Sequence, residues 1–300
     1  MKIVFFGTPD FAVPSLKILV DNGYEIAAVV TVADKPSGRG LQIQSSPIKK
    51  YALEAGLKVL QPEKLKDEKF IETLKTLQAD LFIVIAFRML PEIVWAMPPI
   101  GTFNLHGSLL PKYRGAAPIN WAIMNGEKET GVTTFFLKHE IDTGDILMQK
   151  KIEITESATA GDVHDKMMLV GADVVLQTVK LIESNNYTLQ PQVGDVIHAP
   201  KIFKADCQLN FNESVEKIYS HICGLSPYPA AFTYINGKLL KIFKAEKHQI
   251  ITTNEAGKIE TDNKTYLKIY GTDGYINILE LQLDSKKKMT TAEFLRGWKM

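Results

Sequence analysis

Two short runs constrain this chain more than anything else in it: KIVFF at 2–6 and LFIVIA at 81–86 are apolar almost throughout. A strand with one wet face alternates, so a run without alternation suits a strand covered on both faces. Helical spacing follows such runs. It occurs at 11–22, with Pro14 near the first turn and Gly23 closing it, at 62–78 with Pro62 at its start, at 118–125, and over the long stretch 160–184. Further strand-like runs occupy 24–32, 101–106, 132–138 and 146–154. Strand and helix in alternation predict an α/β class with a mostly parallel, Rossmann-like sheet.

The pattern changes after Asn185-Asn186. Residues 189–203 carry Pro191, Gly194 and Pro200 without sustained periodicity and read as a crossing linker. Beyond it lie a helix at 214–223 and β-rich runs at 231–235, 239–245, 265–270 and 275–283. Gly237, Gly257, Gly271 and Gly274 punctuate them. Such spacing suits a small barrel or sandwich. A chain of 300 residues is also longer than one hydrophobic core usually serves.

Charge and cysteine narrow the class. With 35 basic against 34 acidic residues, the chain is neither a basic nucleic-acid coat nor an acidic tail protein. Residues 201–300 nonetheless hold 15 Lys and Arg against 11 Asp and Glu, a local surplus. Two cysteines, Cys207 and Cys223, build no disulfide framework, which points to a reducing, cytoplasmic setting. The opening apolar run is too short for a signal sequence, and no run reaches the roughly 18–20 residues of a membrane span.

Several residues are candidates for chemistry. Gly7-Thr8-Pro9 turns out of the first strand but lacks the further glycines of a dinucleotide fingerprint. Asn104 and His106 are two apart on a strand, so they share a face, and Gly107 permits close approach of a ligand. The C-terminal ends of strands in an open α/β sheet are where ligands usually bind. An amide donor beside an imidazole suits acyl-type transfer, with Asp142 in the turn DTGD placed to orient the ring. His139, His164, His198, His221 and His248 have no metal-ligand spacing, and no metal site is expected. Residues 32–50 form a long Pro-, Gly-, Ser- and Gln-rich connection. It bears Lys35, Arg39, Lys49 and Lys50 against Asp34, a set suited to phosphate.

Taken together, FFGTPDFAVPSL, DKPSGRG with SSPIK, ADLFIVIAFRMLP, FNLHGSLLPKYRGAAPINWAI, ETGV and IDTGDIL resemble the methionyl-tRNA formyltransferase family. So do GLSPYPAAF, KIFKA, SKKKM and AEFL in the second half. The resemblance spans essentially the whole chain. It implies a formyltransferase catalytic, folate-binding domain over 1–188, a linker over 189–207, and an OB-like β-barrel over 208–300 that binds tRNA. The implied reaction moves a formyl group from 10-formyltetrahydrofolate to the α-amine of methionine on initiator methionyl-tRNA, without metal.

By matching motif, Asn104, His106 and Asp142 take the catalytic roles. Ser108, Leu109, Leu110 and Pro111, with Phe87, Arg88, Met89 and Leu90, take the folate contacts. Lys35, Arg39, Lys49 and Lys50, with Lys286, Lys287 and Lys288, take the tRNA contacts, Arg39 at the loop's tip. The chain departs from the family at Phe87-Arg88, where Tyr-Gly is common, and at Gln42-Ile43-Gln44, where relatives are often more basic. A monomer is expected. Two other readings remain open: a formyltransferase for a small amine, such as an amino sugar or glycinamide ribonucleotide, and an RNA-binding protein with a vestigial catalytic domain.

Overall fold

The strand Lys2–Gly7 pairs in parallel with Glu25–Val30 on one side and Leu81–Ile85 on the other. These pairings place the two apolar runs side by side at the centre of a seven-stranded sheet. Its order is Ile146–Glu153, Glu129–Phe136, Gly101–His106, Leu81–Ile85, Lys2–Gly7, Glu25–Val30, Val59–Leu60. Every residue of Leu81–Ile85 is buried. Fully burying such a side chain stabilises by roughly 1.5–3 kcal/mol, which is what the missing alternation reports. Phe6 and Phe82 meet across the strand pair with ring centroids 5.3 Å apart, over a core that includes Val30, Leu74 and Val94. Gly101–His106 pairs antiparallel with Glu129–Phe136, and there the parallel pattern ends.

The computed structural model describes residues 1–37 and 42–298. Two compact units divide the chain. One comprises Met1–Arg114, Gly131–Ile152 and Asp165–His198; the other comprises Gly115–Thr130, Glu153–His164 and Ala199–Met300. Among the described residues, no helix is long and apolar enough to cross a membrane.

Local chemistry explains where two elements differ from the sequence expectation. The helix expected from Pro62 begins at Glu68, because Asp67 caps it by accepting from the Phe70 N–H at 3.1 Å. The segment 32–50, expected as a loop, contains regular elements on either side of 38–41, which lie outside the described residues. Lys35–Ser37 and Gln42–Gln44 pair as antiparallel strands, and the helix Pro47–Glu54 starts on a Ser46 cap with its proline in the first turn.

In the second unit, Ala231–Ile235 and Lys238–Gln249 form a hairpin around Asn236-Gly237, both with positive φ (48° and 75°). Asn-Gly is the pair that reaches this conformation most readily, so it sets the hairpin register. Lys238–Gln249 pairs with Gly274–Leu283, which pairs with Leu267–Tyr270 and then Ile259–Thr261, giving an antiparallel half-barrel. The helix Val215–Leu225 fills it, with Ile218, Ile222 and Leu225 in one core with Leu240, Ile242, Ile276, Ile278 and Leu281. Met289–Thr290, too short to register as a strand in the sequence, leads into the helix Thr291–Arg296 through a Thr290/Glu293 capping box.

Candidate active site

His106 ends its strand at the carboxyl edge of the sheet and is 6% exposed. Its Nε2 lies 2.8 Å from the carbonyl oxygen of Tyr113. A carbonyl only accepts, so Nε2 carries the hydrogen and Nδ1 is the nitrogen left for chemistry. Nδ1 lies 3.8 Å from Asp142 Oδ2, with both side chains mostly buried. Asn104, half-buried, stands two residues earlier on the same face.

The Tyr113 carbonyl is brought to the ring by the turn that follows the strand. Ser108 Oγ donates to the Lys112 carbonyl at 2.6 Å, and the Lys112 N–H donates to the Leu109 carbonyl at 3.1 Å, folding the turn back on itself. Thr133, facing His106 across the strand pair, then locks it in place. Its hydroxyl donates to the Ser108 carbonyl at 2.6 Å and accepts from the Leu110 N–H and Gln149 Nε2. Gln149 also donates to the Leu110 carbonyl at 2.9 Å. A hydroxyl with all three capacities used, and wholly buried, is a rigid peg.

Asp142 adopts φ +55°, which places its carboxylate on a sharp turn. Gly144 makes that turn possible, since a Cβ there would lie 1.6 Å from the Phe136 carbonyl oxygen. Thr143 Oγ1 donates to the Glu140 carbonyl at 3.0 Å, and Lys138 pairs with Asp145 at 2.8 Å.

The remaining expected site residues fall into two groups. Ser108, Leu110 and Pro111 are buried, and Leu109 packs against Gly131. This run therefore builds the turn beside His106. After Leu81–Ile85 the chain turns at Ala86 (φ +47°), exposed; Phe87 packs inward on Phe6 at 5.7 Å, Leu90 is buried, and Met89 is 75% exposed. Arg88 turns away, its guanidinium donating to the carbonyls of Pro62 and Glu63.

Lys49 is held by Asp34, which also accepts from Gln61 at 2.9 Å. The hydrogen bonds from Lys49 and Gln61 hold the Asp34 carboxyl below its usual range. Lys50 is exposed, whereas Arg39 and the side chain of Lys35 lie outside the described residues. Lys286 and Lys287 are exposed; Lys288 pairs with Glu280 and lies over the Phe243 ring.

Comparison with known proteins decides the family. Residues 1–179 match the formyl transferase family model and 201–299 match that of the formyl transferase C-terminal domain. A methionyl-tRNA formyltransferase of Phocaeicola vulgatus is 54% identical over 311 residues, covering 100% of this chain and 96% of that protein. The chain belongs to the methionyl-tRNA formyltransferase family. Among solved structures, an N-formyltransferase from Helicobacter canadensis, in complex with folinic acid and dTDP-3-aminofucose, superposes with a TM-score of 0.70 at 23% identity. It covers 96% of this chain and 100% of its own. HypX of Aquifex aeolicus, in complex with tetrahydrofolic acid, superposes with a TM-score of 0.68 at 18% identity over 98% of this chain. The chain spans about half of HypX, 47% of its length. At such identities these two likenesses speak for the fold.

Within this member of the methionyl-tRNA formyltransferase family, sequence reasoning missed Tyr113, Thr133 and Gln149. Tyr113 acts through a backbone carbonyl, which no side-chain motif announces. Gln149 begins the polar run Gln149-Lys150-Lys151, in which the sequence does not single it out.

Proposed function

We propose that this chain transfers the formyl group of 10-formyltetrahydrofolate to the α-amine of methionine on initiator methionyl-tRNA, by direct attack of the amine and without a covalent enzyme intermediate. The observation that carries the reading is the His106–Asp142 pair at the carboxyl edge of the sheet, in a chain matching that family from end to end. The domain over 1–188 serves the donor and the chemistry; the domain over 208–300 serves the tRNA.

The residues present suit a folate donor. Ala86 leaves its backbone exposed beside the apolar Met89, and the hydroxyl of Thr8, at the neighbouring strand end, is buried without a protein partner. Open backbone groups, an apolar face and an unsatisfied hydroxyl are the mixture that holds a polar heterocycle. Ser108, Leu109, Leu110 and Pro111, with Phe87 and Leu90, serve the donor in this reading.

Asn104 donates to the formyl oxygen as it gains charge, an interaction worth about 2–4 kcal/mol when the donor is preorganised. His106 works through Nδ1, since Nε2 is committed to Tyr113. It takes the proton that the attacking amine must lose as its bond to the formyl carbon forms. Asp142, facing Nδ1, carries that proton with His106 to the folate nitrogen as the bond from nitrogen to the formyl carbon breaks. The acceptor arm is met by the 32–50 segment with Lys35, Arg39 and Lys50, and the barrel's Lys286 and Lys287 add affinity.

The test compares turnover with three acceptors, each with 10-formyltetrahydrofolate: methionyl initiator tRNA, glycinamide ribonucleotide and a nucleotide-linked amino sugar. Preference for methionyl-tRNA is expected. Preference for either small amine, or tRNA binding without transfer, overturns the proposal.

A further inference from the structure

Gln192 lies in the aperiodic stretch after the helix Ala160–Glu183, where the sequence reads as linker. Its side chain is nevertheless fully engaged. Nε2 donates to the carbonyls of Asp142 at 2.8 Å and Gly144 at 2.9 Å. Oε1 accepts from Arg114 Nε at 3.0 Å and from Nη2 at 2.6 Å. The amide's orientation follows from its partners: carbonyls only accept and guanidinium only donates, so one orientation alone satisfies both. The backbone on either side is tied down as well. Gln190 and Ile146 exchange hydrogen bonds at 2.7 and 3.0 Å, and the Arg114 N–H donates to the Ile197 carbonyl at 2.9 Å. All of these residues lie within the first compact unit.

The two ends of this chain of bonds matter. Arg114 directly follows Tyr113, whose carbonyl holds His106 Nε2. Asp142 carries the carboxylate that faces His106 Nδ1, and its φ of +55° lies in the left-handed region, which few side-chain-bearing residues adopt. One brace, Arg114 to Gln192 to the 142–144 backbone, therefore joins the support of the imidazole to the turn bearing the carboxylate. We infer that Gln192 and Arg114 are positioning residues that set the spacing between His106 and Asp142. The inference rests on the reading of that pair as the proton carriers of formyl transfer.

Gln192→Glu is the sharpest test. It keeps the side chain's length and its pairing with Arg114, but it offers acceptors to two carbonyls in place of two donors. In the full chain, kcat at saturating donor and methionyl-tRNA is expected to fall at least about tenfold, because an error of about 1 Å in placement costs roughly 100-fold. KM for both substrates and the melting temperature are expected to stay near wild type. Gln192→Ala should lose a similar factor. Arg114→Lys, which keeps a charged donor without the fork, should lose less. Arg114→Ala with Gln192→Ala should lose little more than the worse single change, because the two act in series.

A nitrogen-15 spectrum of the histidine rings reads the brace without turnover. His106 resonances are expected to shift in Gln192→Glu while those of His221 stay put. Should the wild type fail to formylate methionyl-tRNA, the reading of the reaction falls while this spectrum still decides the brace. Unmoved His106 resonances overturn the inference, as does wild-type kcat in Gln192→Glu or a loss confined to melting temperature or KM.

Discussion

One histidine in each unit is held by the same device, and the two differ in what meets the rest of the ring. His106 pairs through Nε2 with the Tyr113 carbonyl at 2.8 Å, and His221 through Nε2 with the Asp206 carbonyl at 2.7 Å. In both, a backbone acceptor fixes the ring and the hydrogen it carries. Across from His106 Nδ1 stands the Asp142 carboxylate at 3.8 Å. His221 instead rides half-buried on the helix Val215–Leu225, outside the apolar core that its Ile218, Ile222 and Leu225 join. Burial pushes its imidazole below the usual histidine range, against the opposing effect of the Asp206 hydrogen bond. A backbone carbonyl orders each ring; His106 in addition faces a carboxylate with its other nitrogen, at the carboxyl edge of a mostly parallel sheet.

Removing the His106 pair is the most direct way to break this comparison. His106→Ala and Asp142→Ala are each expected to lower kcat by about 10²–10⁴, the usual worth of general acid–base groups, with the melting temperature little changed. The double variant should lose little more than the worse single. Fully additive losses in steady-state turnover would mean that the two groups act separately.

A smaller effect is expected where charge and positioning are divided between the units. Arg39→Ala should reduce transfer to methionyl-tRNA about tenfold while leaving folate affinity intact, since phosphate contacts of this kind set register. Changing Lys286 and Lys287 to Ala together should weaken tRNA binding and flatten its dependence on salt by about 2 in slope, with kcat at saturating tRNA preserved. Binding measured over a salt series, alongside saturating turnover, separates the two. Normal transfer by Arg39→Ala, or a wild-type slope in the lysine variant, erases the division.

The smallest effect belongs to His221. Its folded-state pKa lies below the unfolded value of about 6.5, so below about pH 7 the unfolded chain binds more protons. Stability from this group is fully present above the unfolded pKa. It is lost as pH falls towards the folded value, levelling off below it. His221→Gln should therefore flatten the acid side of stability, read from urea midpoints over about pH 5–8, with turnover near wild type. An acid slope identical to wild type would show that another group carries it.

Sequence alone determined the layered architecture, because periodicity records which faces of an element meet water. Unbroken apolar runs at 2–6 and 81–86 required a sheet covered on both sides, and Gly237, Gly257, Gly271 and Gly274 marked the breaks between the later strands. The two-residue spacing of Asn104 and His106 put them on one face for the same geometric reason. Tertiary structure decided what those residues meet. It brought Asp142 to His106, held Lys49 against Asp34, turned Arg88 to the carbonyls of Pro62 and Glu63, and braced the 142–144 turn with Gln192. Most of these pairings end on a backbone carbonyl or on a side chain distant along the chain. Every residue carries a carbonyl, so the letters of a sequence do not distinguish the one that will accept. Only the folded path of the chain does.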